Sequence, residues 1–186
     1  MAAAHFAFLE RAMEPQDLDF PPIDLSELSE LRLLAKEIWN LVYPAVIGQA
    51  QIDYMLGEMY SEEALAPQLS GEGNTGFRWI VLRGEYVGFY STMSDPERGS
   101  VFLDKLYLHP DQHRQGIGRA ALEHIAAKTR TAGSTSIRLR VNRDNTTALA
   151  VYGKVGFKKV GELCVDIGGG FAMDDFWLEW TLEVDG

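Results

Sequence analysis

The chain lacks several features that would place it in one of the large classes of proteins. Its 186 residues include one cysteine, Cys164, so an internal disulfide is excluded and a reducing compartment is favoured. We expect this thiol to pack in the core or along a strand. No apolar run is long enough to span a membrane, and the N-terminal segment has no basic leader. These absences predict a cytoplasmic protein without a signal peptide or a membrane partner.

Positive charge is scarce as well. The chain has 17 Lys and Arg residues against 27 Asp and Glu residues, a formal net charge of -10. No basic block stands out, so a nucleic-acid partner is not expected. An acidic field favours a cationic substrate, although many soluble enzymes are acidic for solubility alone. The 4 histidines have no metal-like spacing, and no metal is expected.

The length favours a single domain over residues 1–186. Residues 1–24 have weak periodicity and a cluster of prolines, which predicts an irregular lead-in with at most a short strand. Residues 25–70 are predicted to be helical, because apolar residues recur at helical spacing from Leu28 to Val42. Pro44 is expected to stop that first helix.

The remaining elements follow from changes in the hydrophobic period. Two more helices are predicted at 49–58 and 62–69, and a flexible glycine-rich loop at 68–76. From residue 77 the period becomes two, which is typical of strands. The predicted order is a hairpin at 77–93, a strand at 101–108, a helix at 116–130, a strand at 135–141, a helix at 145–155, and strands at 158–165 and 176–182 on either side of a loop at 168–170.

The first motif runs from Tyr107 to Ala120 and reads Tyr-Leu-His-Pro-Asp-Gln-His-Arg-Gln-Gly-Ile-Gly-Arg-Ala. It predicts a strand, then a loop rich in backbone amides, then the positive end of a helix, which is a geometry that binds a pyrophosphate. Gly116, Gly118 and Ala121 also satisfy a relaxed dinucleotide pattern. A Rossmann turn needs its first glycine directly after the strand, and residues 109–115 intervene here, so NAD is disfavoured. A purely structural turn is the other alternative.

The second motif, Asn-Thr-Thr-Ala-Leu-Ala-Val-Tyr-Gly-Lys-Val-Gly-Phe, covers Asn145 to Phe157. Together the two motifs resemble those of the GNAT superfamily of N-acetyltransferases, and the resemblance covers residues 76–183. It implies an α/β (α+β) fold with a mixed, mostly antiparallel central sheet that is splayed in the middle and flanked by helices. It also implies acetyl-CoA as the co-substrate, with the coenzyme and the acceptor on opposite sides of the opening.

The resemblance assigns the coenzyme contacts to particular residues. The family's loop begins with Arg or Gln, where this chain has His113, and this departure is expected to weaken one loop contact without removing the backbone amides. An oxyanion-binding backbone amide is implied within the splayed part of the strand. The implied coenzyme residues are Leu106, Tyr107, Leu108, His113, Arg114, Gln115, Gly116, Ile117, Gly118, Arg119, Asn142, Asn145 and Ala148.

Two side chains are candidates for proton transfer. Tyr152 lies two helical turns after Asn145 and is expected to protonate the departing sulfur, with a packed surface tyrosine as the alternative. Asn145 is also a good helix N-cap. Asp104 is the first candidate for the general base, because a carboxylate in an apolar strand needs an explanation. An ion pair with Lys105 or a solvent-facing position explains Asp104 equally well.

The acceptor is less constrained than the coenzyme. The helical half loosely resembles bacterial spermidine/spermine acetyltransferases, so a small, polyamine-like primary amine is expected to react directly in a ternary complex. The alternatives are a protein amino terminus or lysine, or a catalytically silent acyl-CoA sensor, and a homodimer is left open. The expected acceptor-binding residues are Tyr43, Asp53, Tyr54, Asp174 and Asp175, with the last two as loop acids entering the final strand.

Overall fold

The computed structural model describes residues 17–183, and the first sixteen residues of the predicted lead-in lie outside that range. The described part of the lead-in contains a short strand, as predicted. The strands are β1 (Leu18–Asp19), β2 (Thr75–Leu82), β3 (Glu85–Asp95), β4 (Ser100–Leu108), β5 (Ser136–Asn142), β6 (Lys158–Gly168) and β7 (Phe171–Thr181). The helices are α1 (Leu28–Val42), α2 (Pro44–Ile47), α3 (Gln49–Met59), α4 (Glu62–Leu69), α5 (Ile117–Thr131) and α6 (Thr146–Val155).

The strands form one 7-stranded sheet in the order β1-β2-β3-β4-β5-β7-β6. Every neighbouring pair is antiparallel except β4 and β5, which are parallel. The parallel pairing begins at Ser100 with Ser136 and ends at Leu103 with Leu139, although both strands continue beyond it. The sheet is therefore mixed, mostly antiparallel and splayed between its two central strands, which confirms the predicted fold class.

The helices cover the sheet on both faces, and the two longest, α1 and α5, each present an apolar stripe to it. In α1, Leu28, Leu31, Ala35 and Ile38 recur every three or four residues and are all buried. Asp24 and Glu27 form a capping box in the short 3-10 turn that precedes α1. Pro44 ends α1 as predicted, but it also opens α2, since proline is well suited to the first position of a helix. None of the helices in residues 17–183 combines the length and the apolar character that crossing a membrane requires.

Two predictions about the last hairpin were wrong. Strand β6 continues to Gly168 and β7 begins at Phe171, so the predicted loop is a tight turn. Gly168, Gly169 and Gly170 all have positive φ, which glycine allows at no steric cost. Asp174 and Asp175 consequently lie inside β7 and are not loop acids. Cys164 lies on strand β6 as expected, but its side chain is exposed and not part of the core.

A β-bulge interrupts β4 at the point where the sheet opens. Ser91 of β3 is opposite Lys105, and the next residue, Thr92, is opposite Leu103, so Asp104 is the extra residue. The bulge reverses the alternation of side chains along β4. Leu103 packs in the core beneath α5, whereas Tyr107 packs in the core beneath α1 and α3. Without the bulge these two residues would share one face.

Candidate active site

The opening between β4 and β5 is the floor of a pocket that α1, α2, α3 and α6 also border. The sequence-predicted residues that line it are Tyr43, Asp104, Leu106, Tyr107, Asn142, Asn145, Ala148, Tyr152 and Asp175. Its other lining residues are Trp39, Ile47, Gln51, Met55, Met59, Phe102, Leu103, Arg140, Val141 and Met173. Residues that are far apart in the sequence thus meet where the backbone of two central strands is unpaired.

The glycine-rich loop after β4 has the geometry of an anion site. Arg114 and Gly116 adopt φ values of 63° and 83°, so the chain turns sharply before α5. The backbone amides of residues 114–119 donate no hydrogen bond to any described residue. A Cβ atom added to Gly118 would meet no atom within 4 Å, so packing of the chain itself does not require glycine there. These unpaired amides and the positive end of α5 suit the pyrophosphate of a coenzyme.

His113 turns back onto the strand that precedes this loop. Its Nε2 atom lies 3.0 Å from the Leu108 carbonyl oxygen, and a carbonyl accepts, so this nitrogen carries the proton. The side chain is exposed, and this contact ties the loop to the end of β4. The His113 side chain makes no hydrogen bond to the amides of residues 114–119, so these donors stay unpaired.

Helix α6 carries Ala148 and Tyr152 on the face that borders the pocket, and its N-cap residue Asn145 lies on the same side. The Asn145 side-chain oxygen accepts a hydrogen bond of 3.1 Å from the Ala148 amide, which is the N-cap role expected from its type. The Asn142 side-chain oxygen is also engaged, because the Asp144 amide donates to it at 2.9 Å. Both asparagines thus stabilise the turn into α6 while they border the pocket.

Two tyrosines reach the pocket, Tyr152 from α6 and Tyr43 from the junction between α1 and α2. Burial raises the pKa of Tyr152 well above its usual value of 10, and Tyr43 adds to the shift. Burial also raises the pKa of Tyr43 to about 12, with a further contribution from Asp175. Tyr152 packs edge-on against Phe157, with ring centroids 5.3 Å apart. Both phenols therefore keep their protons at neutral pH and can act as hydrogen-bond donors.

Asp104 lines the pocket but is not a free carboxylate. It forms an ion pair with Lys105, whose side chain is 4% exposed. The Lys105 ammonium also lies 5.4 Å from the centre of the Phe77 ring. The ion pair that competed with the general-base role in the sequence is therefore present.

Asp175 and its neighbour Asp174 have opposite environments, since adjacent residues of a strand point to opposite faces. Asp175 is 3% exposed and lines the pocket. Burial raises its pKa, and the nearby Asp174 adds to the rise while Arg140 opposes it. Asp174 instead forms an ion pair of 2.7 Å with Arg143, which also contacts Glu162 at 3.2 Å. The structure brings Asp175 to the pocket and leaves Asp174 outside it.

Two other residues expected at the acceptor site lie outside the pocket lining. Asp53 is exposed on α3 and accepts a hydrogen bond of 2.8 Å from Gln49. The Tyr54 hydroxyl donates to the Ile167 carbonyl at 2.6 Å, and its ring packs 5.4 Å from that of Phe171. A Cβ atom on Gly169 would lie 2.9 Å from the Tyr54 ring, so this tyrosine holds the tight turn of the last hairpin. Its role in the structure is packing.

Sequence reasoning missed Arg140 and Gln51. Arg140 lines the pocket from β5, and Gln51 lines it from α3 while its amide donates to the Ala172 carbonyl at 3.0 Å. The alternation Ile-Arg-Leu-Arg-Val-Asn over residues 137–142 could have indicated Arg140 as a site residue, because it places polar side chains on one face of a central strand. Gln51 had no comparable signal.

The pocket has no side chain that is a common nucleophile for acyl transfer. Among the described residues that line it, none is Cys, Ser, Thr, His or Lys. Cys164 lies on β6, is exposed, and does not line the pocket. The arrangement therefore offers hydrogen-bond donors, a buried carboxylate and unpaired backbone, but no activated nucleophile.

Comparison with known proteins gives a consistent result for the family. Residues 36–157 match the profile of the acetyltransferase (GNAT) family. The chain is 30% identical over 100 residues to the [ribosomal protein bS18]-alanine N-acetyltransferase of Escherichia coli K12, which covers 54% of this chain and 65% of that protein. It is 23% identical over 144 residues to the spermidine N(1)-acetyltransferase of Thermoplasma acidophilum, and the match covers 76% of this chain and 88% of that protein.

A solved structure has the same fold. The crystal structure of the PaiA N-acetyltransferase from Thermoplasma acidophilum in complex with coenzyme A superposes with a TM-score of 0.73 at 23% sequence identity. The match covers 88% of this chain and 98% of that one.

Proposed function

The chain belongs to the acetyltransferase (GNAT) family, and from that premise we propose that it moves an acetyl group from acetyl-CoA directly to a primary amine within a ternary complex. The observation that carries the proposal is a pocket at the splayed strands whose described lining residues include a buried carboxylate but no Cys, Ser, Thr, His or Lys to act as a nucleophile, while the loop after β4 offers unpaired amides. An acetyl-enzyme intermediate would need such a nucleophile.

The coenzyme is proposed to bind along the loop and the pocket face of α6. Its pyrophosphate would accept hydrogen bonds from the amides of residues 114–119, and Gly118 would allow close approach. The pantetheine arm would lie beside Asn142, Asn145 and Ala148 in the opening of the sheet. Acetyl-CoA supplies the acyl thioester that the amine attacks.

We propose Asp175 as the group that takes the proton from the amine. An aliphatic ammonium has a pKa near about 10, so a base must accept a proton before or during attack. Asp175 is buried in the pocket wall and has a raised pKa, which makes it a better proton acceptor than a solvated carboxylate. Asp104 is already paired with Lys105 and is proposed to support the site without accepting that proton.

Tyr152 is proposed to donate a hydrogen bond to the departing sulfur. Its raised pKa keeps the phenol protonated. A thiol has a pKa near about 8.5, so complete transfer of a proton from this phenol to the thiolate is uphill. A hydrogen bond to the developing negative charge stabilises the transition state without requiring that transfer. The proton lost by the amine leaves through Asp175.

The identity of the amine is a separate question. Asp53 and Asp174, two of the acids that suggested a polyamine, lie outside the pocket lining, and Asp104 is paired. The name of the Thermoplasma relative supports a polyamine, and that of the Escherichia coli relative supports a protein amino terminus. The chain spans 65% of the Escherichia coli protein and is 23% identical to the Thermoplasma protein, so neither acceptor follows from similarity alone.

The proposal is tested by measuring release of the coenzyme thiol from acetyl-CoA with polyamines, amino acids, aminoglycosides and short peptides as acceptors. Direct transfer predicts initial-rate lines that intersect when both substrates are varied, and no acetylated protein in the absence of acceptor. Parallel lines together with an acetylated residue would favour a covalent intermediate. Binding of acetyl-CoA without turnover of any amine would favour the sensor alternative.

A further inference from the structure

A second cleft adjoins the pocket on the same face of the sheet. It is lined by Asp95, Arg98, Ser100, Phe102, Arg138 and Trp177. Phe102 lines both this cleft and the pocket described above, so the two spaces meet at its ring. An acceptor that enters the pocket from this side must therefore pass the side chains of β5 and β7.

We call the space where the cleft and the pocket meet at Phe102 the passage. Two arginines border it, Arg138 on the side of the cleft and Arg140 on the side of the pocket. Arg138 and Arg140 are alternate residues of β5 and project from the same face. Their guanidinium carbons lie 4.9 Å and 5.7 Å from the Trp177 ring, and that of Arg140 lies 5.6 Å from the Phe102 ring. The two rings are themselves 5.7 Å apart. Stacking against these aromatic faces holds the guanidinium groups in place along the passage.

Most charges around the passage are already neutralised. Arg138 pairs with Glu179 at 3.4 Å, Arg98 pairs with Asp95 at 3.4 Å, and Lys105 pairs with Asp104. Arg140 differs, because within residues 17–183 it forms no ion pair. Its buried Nε, like that of Arg138, makes no hydrogen bond. Asp175 is its counterpart, a buried carboxylate that feels Arg140 electrostatically without pairing with it. Around the passage, Arg140 and Asp175 are thus one cation and one anion that form no ion pair within residues 17–183 and can contact a ligand.

We propose that the acceptor is a small primary amine that also carries a carboxylate or phosphate group, and that Arg140 binds this anionic group. The proposal rests on the proposed acetyl transfer and deepens it. The amine would lie towards Asp175, and its anion towards Arg140 at the junction of the two clefts. A planar guanidinium can donate two parallel hydrogen bonds to a carboxylate or phosphate, so an unpaired arginine is well suited to this role.

The same charges disfavour a polyamine. A diamine that presents one nitrogen to the acetyl group would bring its second ammonium towards the unpaired guanidinium, and like charges in a partly desolvated site repel. The formal charge of -10 describes the whole chain, whereas the acceptor responds to the groups that line its passage.

The experiment compares acceptors that differ at one end. Butylamine, 1,4-diaminobutane and 4-aminobutanoate share a four-carbon chain that ends in methyl, ammonium or carboxylate. To match the span between Asp175 and Arg140, the aminocarboxylates run from glycine to 6-aminohexanoate, and O-phosphoethanolamine is compared with ethanolamine. At the best chain length we expect kcat/KM for the anionic acceptor to exceed that of its uncharged partner by about tenfold or more.

The variant Arg140→Gln tests the residue. It should lower the preference for the anionic acceptor over butylamine about tenfold, because the charge-assisted hydrogen bonds are lost. Arg143→Gln is the control, since Arg143 pairs with Asp174 outside the pocket, and it should leave that preference unchanged. The carboxylate and phosphate series identify which anion is bound.

Other results would contradict either this inference or the proposed function. If butylamine or the diamine is a better acceptor than every anionic amine in the wild-type protein, the inference is wrong and acetyl transfer stands. An unchanged preference in Arg140→Gln would remove Arg140 from acceptor recognition. If no amine releases the coenzyme thiol, the proposed function itself fails and this inference fails with it. The wild-type series does not depend on the folding of any variant.

Discussion

Asp104 and Lys105 are consecutive residues of one strand, yet their side chains form an ion pair in the interior of the protein. Consecutive side chains of a regular strand point to opposite faces and do not meet. The β-bulge at Asp104 removes this restriction, because the extra residue bends the strand and changes the direction of its side chain. The bulge, the ion pair and the end of the β4–β5 pairing therefore coincide at the floor of the pocket.

The first prediction concerns the stability that this pair provides. Asp104→Asn should lower the free energy of unfolding by about 3 kcal/mol, because it leaves the buried Lys105 ammonium without a carboxylate. The double variant Asp104→Asn/Lys105→Met should recover most of that loss. Chemical denaturation of the three proteins measures both effects. Equal instability of the single and double variants would mean that the unpaired charge is not the cause.

The second prediction tests the coenzyme loop. Gly118→Trp should abolish the thermal stabilisation that acetyl-CoA gives to the wild-type protein, because the indole would occupy the space above the loop amides. The protein should still fold, since a Cβ at this position meets no atom within 4 Å. Gly57→Trp is the control, as Gly57 is a helical glycine of α3 with the same open surroundings and does not line the pocket. Undiminished stabilisation of the Gly118 variant would move the coenzyme site elsewhere.

The sequence predicted the parts of the site that depend on local geometry. The loop before α5 and the face of α6 follow from residues close together in the chain, and their glycine spacing and helical period are visible directly. The helix α1 was predicted for the same reason, because its buried residues repeat at helical spacing. The splayed sheet came from the family resemblance, since strand pairing joins residues that are distant in the sequence.

The features that were missed depend on tertiary contacts. Tyr54 was expected at the acceptor site, but the turn at Gly168 and Gly169 packs under its ring. The predicted β7 was too short because the acidic residues of this strand have low strand propensity. In the structure, pairing with both β5 and β6 overrides that preference. A bulge adds one residue to a strand and has no fixed sequence pattern, so the change in direction at Asp104 could not be predicted.

The third prediction concerns Tyr152. Tyr152→Phe should reduce kcat by roughly 10²-fold while acetyl-CoA binds almost as tightly, because the lost hydrogen bond forms only as charge develops on the sulfur. Tyr54→Phe is the matched control, since its hydroxyl binds the Ile167 carbonyl outside the pocket lining. That variant should lose about 1 kcal/mol of stability and keep its turnover. If both variants turn over like the wild-type protein, the Tyr152 phenol is structural.

The fourth prediction separates two adjacent acids. Asp175→Asn should lower turnover by roughly 10²-fold or more, because the proposed proton acceptor is removed from the pocket. Asp174→Asn makes the same chemical change on the opposite face of β7, where the carboxylate pairs with Arg143. It should leave turnover close to that of the wild-type protein. Comparable losses in the two variants would show that the effect comes from the strand and not from proton transfer.

The last prediction uses the pH dependence of stability. Burial raises the pKa of Asp175 above its usual value of 3.8, which applies to the unfolded chain. At a pH between the unfolded and the folded pKa, the folded protein therefore binds more protons than the unfolded chain. The contribution of this group to the free energy of unfolding therefore falls as the pH rises through that range, and it is unfavourable at neutral pH. Asparagine does not ionise, so Asp175→Asn should be more stable than the wild-type protein at pH 7 although it is less active.

The difference in stability between these two proteins should become smaller as the pH falls towards 3.8, because Asp175 is then increasingly protonated in both the folded and unfolded states. Denaturant titrations at neutral and acidic pH measure it. A group that is destabilising when charged and is needed for turnover is the expected property of a proton acceptor held in a buried site. If Asp175→Asn is instead less stable at pH 7 by as much as at acidic pH, the carboxylate is a structural hydrogen-bonding group and the base must be sought elsewhere in the pocket.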